Sequence, residues 1–154
     1  MSSHRKRWSR DKECSCTHRT VPRISKGQKR LSRGLANEKK FVDGYGAAKN
    51  AGHLPSWFHS AKKGSEKDDH HGIDAWVITD AGPIPIQIKS SEMGCRKFLA
   101  RKRKRYIPCF AMRDKESLAD MVNRTLPDIA KERNNLIELR QRLLRKKLRK
   151  LSNK

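Results

Sequence analysis

Asp74, Gln87 and Lys89 set a carboxylate, an amide oxygen and an ammonium group on one short stretch of chain. Metal-dependent phosphodiester hydrolysis requires groups of these types. The stretch reads Gly72-Ile73-Asp74, an apolar run, a Gly-Pro turn, and then Gln87-Ile88-Lys89-Ser90-Ser91. Residues 73–78 and 84–89 are rich in β-branched and aromatic side chains, and Thr79-Asp80-Ala81-Gly82-Pro83 separates them, which predicts a hairpin. A two-residue turn at Ala81-Gly82 and a four-residue turn from Asp80 to Pro83 give the same register, with Asp74 opposite Lys89 and Trp76 opposite Gln87. Side chains alternate faces along a strand, so all three groups project to one side, and a one-residue slip would turn Asp74 away.

A second carboxylate belongs to the element before the hairpin. From Leu35 to Ala48 the pattern is helical, with Leu35, Phe41, Val42, Tyr45 and Ala48 on one arc and Lys39, Lys40 and Asp43 pointing away. Glu38 falls within the apolar arc. A carboxylate is costly to bury alone, so an ion or a nearby lysine is expected to accompany it.

Asp74, twelve intervening residues and Gln87-Ile88-Lys89 together resemble the core motif of the PD-(D/E)xK nuclease superfamily, the restriction-endonuclease-like fold. Two positions depart from that pattern. Ile73 stands where the family commonly has Pro, and Gln87 replaces the second carboxylate, which removes one negative charge from the metal shell. Glu38 matches a glutamate that the superfamily often carries on its first helix. The resemblance covers residues 34–112. It implies one divalent ion, Mg²⁺ or Mn²⁺, held by Asp74, the Gln87 side chain and the Ile88 carbonyl, with Glu38 in contact directly or through water. It further implies that Lys89 orients or deprotonates the attacking water, which makes Glu38, Asp74, Gln87 and Lys89 the catalytic set.

The elements around the motif are expected in the order α-β-β-β-α-β, an α/β fold with a small mixed sheet flanked by helices and followed by a long C-terminal helix. Residues 53–62 supply the first strand, the hairpin the second and third, 94–105 a helix, and 106–112 the fourth strand. Pro55, Pro85 and Pro108 suit strand starts and edges. Pro127 suits the first turn of a helix, with Thr125 as a possible cap, so the C-terminal helix is expected to break near its start.

Charge points to a polyanionic partner. Of the formal net charge of +22, residues 1–33 carry eleven basic against two acidic side chains, residues 95–154 twenty against six, and residues 34–94 seven against eight. A near-neutral core between two basic flanks is what a nucleic-acid-binding protein presents, DNA being expected over RNA. An anionic membrane surface is the main competitor. Arg96 and Lys97, with the run Arg101, Lys102, Arg103, Lys104 and Arg105, are the expected phosphate contacts. The same run also fits a solvated helix end or a nuclear localisation signal.

Residues 1–33 are poor in apolar side chains and read as a disordered basic arm, residues 34–112 as the nuclease-like core, and residues 113–154 as a basic amphipathic extension. In that extension Ile129, Leu136 and Leu143 recur every seven residues, as do Ile137, Leu144 and Leu151, a stripe that suits packing on the core or a homodimer. No signal-like or membrane-spanning run is present, so an intracellular, cytoplasmic protein that does not enter a membrane is expected. Cys14, Cys16 and His18, completed by Cys95 or Cys109, are a weak zinc candidate, and tail cysteines without metal are the more ordinary reading. Asp68, Asp69, His70 and His71 read chiefly as loop solvation, with a proton relay or a metal ligand as the lesser reading of the histidines, and Lys62 and Lys63 read equally as phosphate contacts or as surface. An Asp and a Q-x-K tripeptide also occur in ordinary hairpins. Two further functions therefore stand beside the nuclease: a nucleic-acid-binding protein that kept the fold without the chemistry, and a small basic RNA-associated protein.

Overall fold

The computed structural model describes residues 26–101 and 107–152. It is a mixed α/β fold whose elements follow the order α1 (Lys26–Asn50), β1 (Phe58–Lys63), α2 (Glu66–His71), β2 (Ala75–Thr79), β3 (Gly82–Lys89), α3 (Glu92–Leu99), β4 (Cys109–Ala111) and α4 (Leu118–Ser152). The four strands form one mixed sheet in the order β1-β2-β3-β4. The first two pairings are antiparallel, and β4 joins β3 in parallel through α3.

The hairpin register differs from the expected one by two residues. Ala75 faces Ile86, Trp76 faces Pro85 and Thr79 faces Gly82, so the chain reverses at Asp80-Ala81. Gly82 takes a φ of 121°, a left-handed value that falls readily to glycine at the exit of the corner. The turn type, rather than the apolar pattern, accounts for the difference: a shift of two leaves every side chain on its own face.

That face alternation divides the interior into two layers. Ala75, Val77, Ile84, Ile86 and Ile88 belong to the main core, where they meet Phe41 and Tyr45 of α1 and Met121, Val122 and Ile129 of α4. Tyr45 lies against both Phe41 and Phe58, and its hydroxyl meets Thr125 Oγ1 at 2.7 Å, so the aromatic body is buried without an orphaned polar tip. Burying a side chain of this class contributes about 2 kcal/mol. On the opposite face Ile73, Phe98 and Ile107 form a smaller cluster with Trp76 and Cys109, roofed by α3.

Two prolines sit in β3 without breaking it. The Gln87 N–H donates toward β4, to the Pro108 carbonyl, so the alternate positions Pro83 and Pro85 face that same side. There β4, only three residues long, does not reach. A missing N–H costs nothing on an unpaired edge.

Several boundaries depart from the sequence expectation. Helix α1 starts at Lys26 and thus takes in residues 26–33, which were expected in the basic arm. Lys, Gln, Arg and Leu favour helix in that stretch, and Arg33 pairs with Asp114 at 2.7 Å. Strand β1 begins at Phe58 rather than 53, because His53 caps the end of α1 through Ala48 and Phe58 closes a turn on Pro55. A capping box between Ser65 and Asp68 creates the short α2, which was not expected. Helix α3 stops at Leu99, so Arg101 lies past its end, and β4 covers only Cys109–Ala111. Helix α4 is continuous through Pro127. Pro127 is exposed, and so is Asn123, whose carbonyl the proline leaves without its helical donor and open to water. The basic arm ahead of residue 26, including Cys14, Cys16 and His18, lies outside the described residues, as do Lys102, Arg103, Lys104 and Arg105.

Candidate active site

The open end of the hairpin gathers the groups that the sequence singles out. Asp74 sits one residue ahead of β2, level with Gln87 in the observed register rather than with Lys89. Its backbone is held from both sides: Gly64 N–H donates to the Asp74 carbonyl at 2.9 Å, and Asp74 N–H donates to the Ile86 carbonyl at 2.8 Å. Gly64 has no room for a side chain, since a Cβ there would meet the Ile73 carbonyl oxygen at 2.7 Å. The Ile88 N–H points toward β2 beyond the last paired residue. One carboxylate oxygen of Asp74, Oδ2, accepts that N–H at 2.7 Å, in place of a strand carbonyl.

Gln87 is 1% exposed, and its side chain lies between the two other expected ligands. Its Nε2 donates to Asp74 Oδ2 and, at 3.3 Å, to the Ile88 carbonyl. The amide nitrogen thus bridges the Asp74 carboxylate and the Ile88 carbonyl. Burial pushes the Asp74 carboxyl above the ordinary carboxylate range; the Ile88 N–H and Lys89 oppose that shift, and the negative charges of Glu38 and Asp69 add to it.

Lys89 ends β3 on the same face. Its Nζ stands 5.7 Å from the centre of the Phe98 ring, a cation–π contact that rests the stem against α3. Gly94 permits this approach, because a Cβ there would come within 3.3 Å of the Lys89 Cβ. Ser91 caps α3 by accepting the Gly94 N–H at 3.1 Å, so the helix starts immediately after the lysine.

Asp74, Gln87 and Lys89 line one cleft of about 440 Å³ together with Asp69, His70, Lys97 and Arg101. Arg96 is exposed on the same helix but lies outside that lining. Asp69 and His70 enter from α2, which sequence reasoning had given to solvation. The capping pattern Ser65-x-x-Asp68 was the signal that a short helix would present them. Asp68 itself is spent on the cap, where its carboxylate accepts from the Ser65 N–H and hydroxyl. Lys62 is exposed on β1.

Glu38, on α1, stands beside the site and does not line its cleft. It lines a neighbouring cleft of about 360 Å³ with Asp69 and Asp74, and its carboxylate pairs with Lys63 Nζ at 3.2 Å. The conflict between an acidic residue and an apolar helix face is resolved here by a lysine.

The Asp74 carboxylate and the Ile88 carbonyl are oxygen donors of the kind that suits a hard divalent cation, whereas Gln87 turns its Nε2 toward them. Among the described residues no three His, Cys, Asp or Glu side chains gather as a metal-holding group, so an ion here would draw on the Ile88 carbonyl and the Gln87 amide oxygen. These residues fit such an ion after one local change: the Gln87 amide turns over, so that Oε1 replaces Nε2 between Asp74 and Ile88. The two ends of an amide are close to isosteric, so the turn needs no repacking. Among the described residues, no helix is long and apolar enough to cross a membrane. Comparison of the chain with known proteins matches no family model, no curated protein and no solved structure.

Proposed function

We propose that this chain is a metal-dependent endonuclease that hydrolyses the phosphodiester backbone of nucleic acid, DNA in the first instance, with Mg²⁺ or Mn²⁺ as cofactor. The observation that carries the reading is the meeting of Asp74, Gln87 and Lys89 on one cleft wall, with the cations Lys97 and Arg101 beside them. Asp74, the Gln87 amide oxygen and the Ile88 carbonyl would hold the ion, and Glu38 would reach it after leaving Lys63. When bound, the ion supplies Lewis-acid stabilisation of the phosphoryl oxygens and lowers the pKa of its water. Lys89 holds the attacking water and offsets charge that develops on the phosphate. Lys97 and Arg101 fix the backbone against the cleft by phosphate contacts, which position without reading sequence.

The test is a cleavage panel of supercoiled plasmid, flapped, four-way and single-stranded substrates with each metal. Wild type is expected to cut, and Asp74→Asn and Lys89→Ala to lose at least about a hundredfold in rate while binding is retained. Equal cutting by either variant would remove the assignment.

A second reading is a nucleic-acid-binding protein without cleavage. The bridge from Gln87 Nε2 to Asp74 and Ile88 favours it, because that bridge satisfies both acceptors with no ion. Calorimetric titration separates the two: saturable Mn²⁺ binding lost in Asp74→Asn supports the enzyme, and its absence in wild type supports the binding protein.

A homodimer through α4 belongs to the same proposal. Leu139, Leu143, Leu144, Leu148 and Leu151 are all exposed on the C-terminal part of α4. Residues 141–154 carry seven basic and no acidic side chains, so self-association there is expected to strengthen as salt rises while nucleic-acid binding weakens.

A further inference from the structure

Cys95 in α3 and Cys109 at the start of β4 bring their Sγ atoms to 2.7 Å, nearer than unbonded sulfurs rest and within a small movement of a covalent bond. They are the two cysteines among the described residues, both as free thiols, and they join elements that pack directly on each other. We infer that Cys95 and Cys109 form a reversible dithiol–disulfide site that low-molecular-weight disulfides oxidise.

The two sulfurs differ in access. Cys95 is 6% exposed, whereas Cys109 is half-buried and lines a pocket of about 180 Å³ with Leu99, Pro108, Asp128 and Lys131. The reagent therefore meets Cys109 first. The Cys109 S–H donates to Cys95 Sγ, and that bond and burial hold the Cys109 thiol above its ordinary range. Access rather than acidity therefore selects it, and the step quickens as pH rises. Once deprotonated, the Cys109 sulfur attacks one sulfur of R–S–S–R, forms a mixed disulfide and releases R–S⁻, which takes up that proton. Cys95 then attacks the Cys109 sulfur, expels the second R–S⁻ and gives its proton to it. Two thiols lose two electrons and one R–S–S–R becomes two R–SH, with no other reactant. The product ties α3 to β4. Because Lys97 and Arg101 line the large cleft from α3 and its end, oxidation fixes one wall of that cleft, whatever chemistry the cleft performs.

The experiment uses the full chain with Cys14→Ser and Cys16→Ser, so that only this pair remains. After exposure of the folded protein to oxidised glutathione, intact mass is expected to fall by two hydrogens, with a peptide linking residues 95 and 109, and to recover with dithiothreitol. Cys95→Ser is expected to stop at one glutathione on Cys109, and Cys109→Ser to take up none while folded, as circular dichroism confirms. If either single variant unfolds, the mass of the two-cysteine protein decides alone. Full alkylation of both thiols after oxidation, or two separate glutathione adducts without a bridge, would overturn the inference.

Discussion

Asp74 has a structural duty beside its proposed chemical one. Its carboxylate closes the open end of the hairpin by accepting the Ile88 N–H and the Gln87 amide. Removing that acceptor leaves the Ile88 N–H without its partner and the Gln87 Nε2 with only the Ile88 carbonyl at 3.3 Å, so Asp74→Ala is expected to cost about 2 kcal/mol in urea-unfolding stability. Asp74→Asn, which keeps an oxygen in place, is expected to cost less than half as much. Asn is therefore the variant that separates lost chemistry from lost fold. Gly64 gives a second residue-scale expectation. The Ile73 carbonyl bars a Cβ there, and Gly64→Ala is expected to lose about 2 kcal/mol by the same measurement. The parity of Asp74, Gln87 and Lys89 was legible from strand alternation, and so was the inward Glu38. The partner of Glu38 was left open between an ion and a lysine, since Lys63 becomes its neighbour only once β1 is laid beside β2. The direction of the Gln87 amide was not legible either, because it depends on where two acceptors lie in space.

At the scale of elements, Arg124 fastens α4 to the end of β4 by a hydrogen bond and to the loop between them by an ion pair. Arg124 grips both oxygens of Glu116, at 2.6 and 2.8 Å, and also donates to the Ala111 carbonyl at 2.9 Å. The guanidinium holds the Glu116 carboxyl below its ordinary value of 4.5. A lowered carboxylate pKa gives stability that is present above the unfolded value and lost as pH falls through the folded one. Arg124→Met is expected to cost about 2 kcal/mol at neutral pH and less below pH 4.5, so that its thermal midpoint falls less steeply on acidification than that of wild type. Helices were legible where the apolar arc was, as in residues 35–48. Their ends were not: α3 stops at Leu99 although the basic run beyond it has good helical propensity, and α4 runs through Pro127 although proline usually marks a start. Propensity does not decide the course of α4 once Thr125 and Ile129, on either side of Pro127, are anchored in the core.

Taken as a whole, the molecule is a small sheet with a lever attached. Helix α4 is buried at Met121, Val122, Thr125 and Ile129, and its leucines from Leu139 onward are exposed, so its last turns contribute little to the core. Deleting residues 141–154 is expected to shift the thermal midpoint by no more than a few degrees. The same deletion removes seven cations, and it is expected to lower the slope of log Kd against log salt by several units on duplex DNA. A truncated chain with an unchanged salt slope would take the overhang out of the interface. The flanking charge was fully legible in composition, whereas its placement on an overhang required the length of α4 relative to the sheet.

Pro83 and Pro85 occupy the part of β3 that β4 leaves uncovered. A bare strand border is an invitation to neighbouring molecules, which can add themselves to it and propagate into fibrils. Two consecutive missing donors on that border withdraw the invitation. A protein this rich in β-branched hairpin residues thereby keeps this border of its sheet from zipping onto another copy.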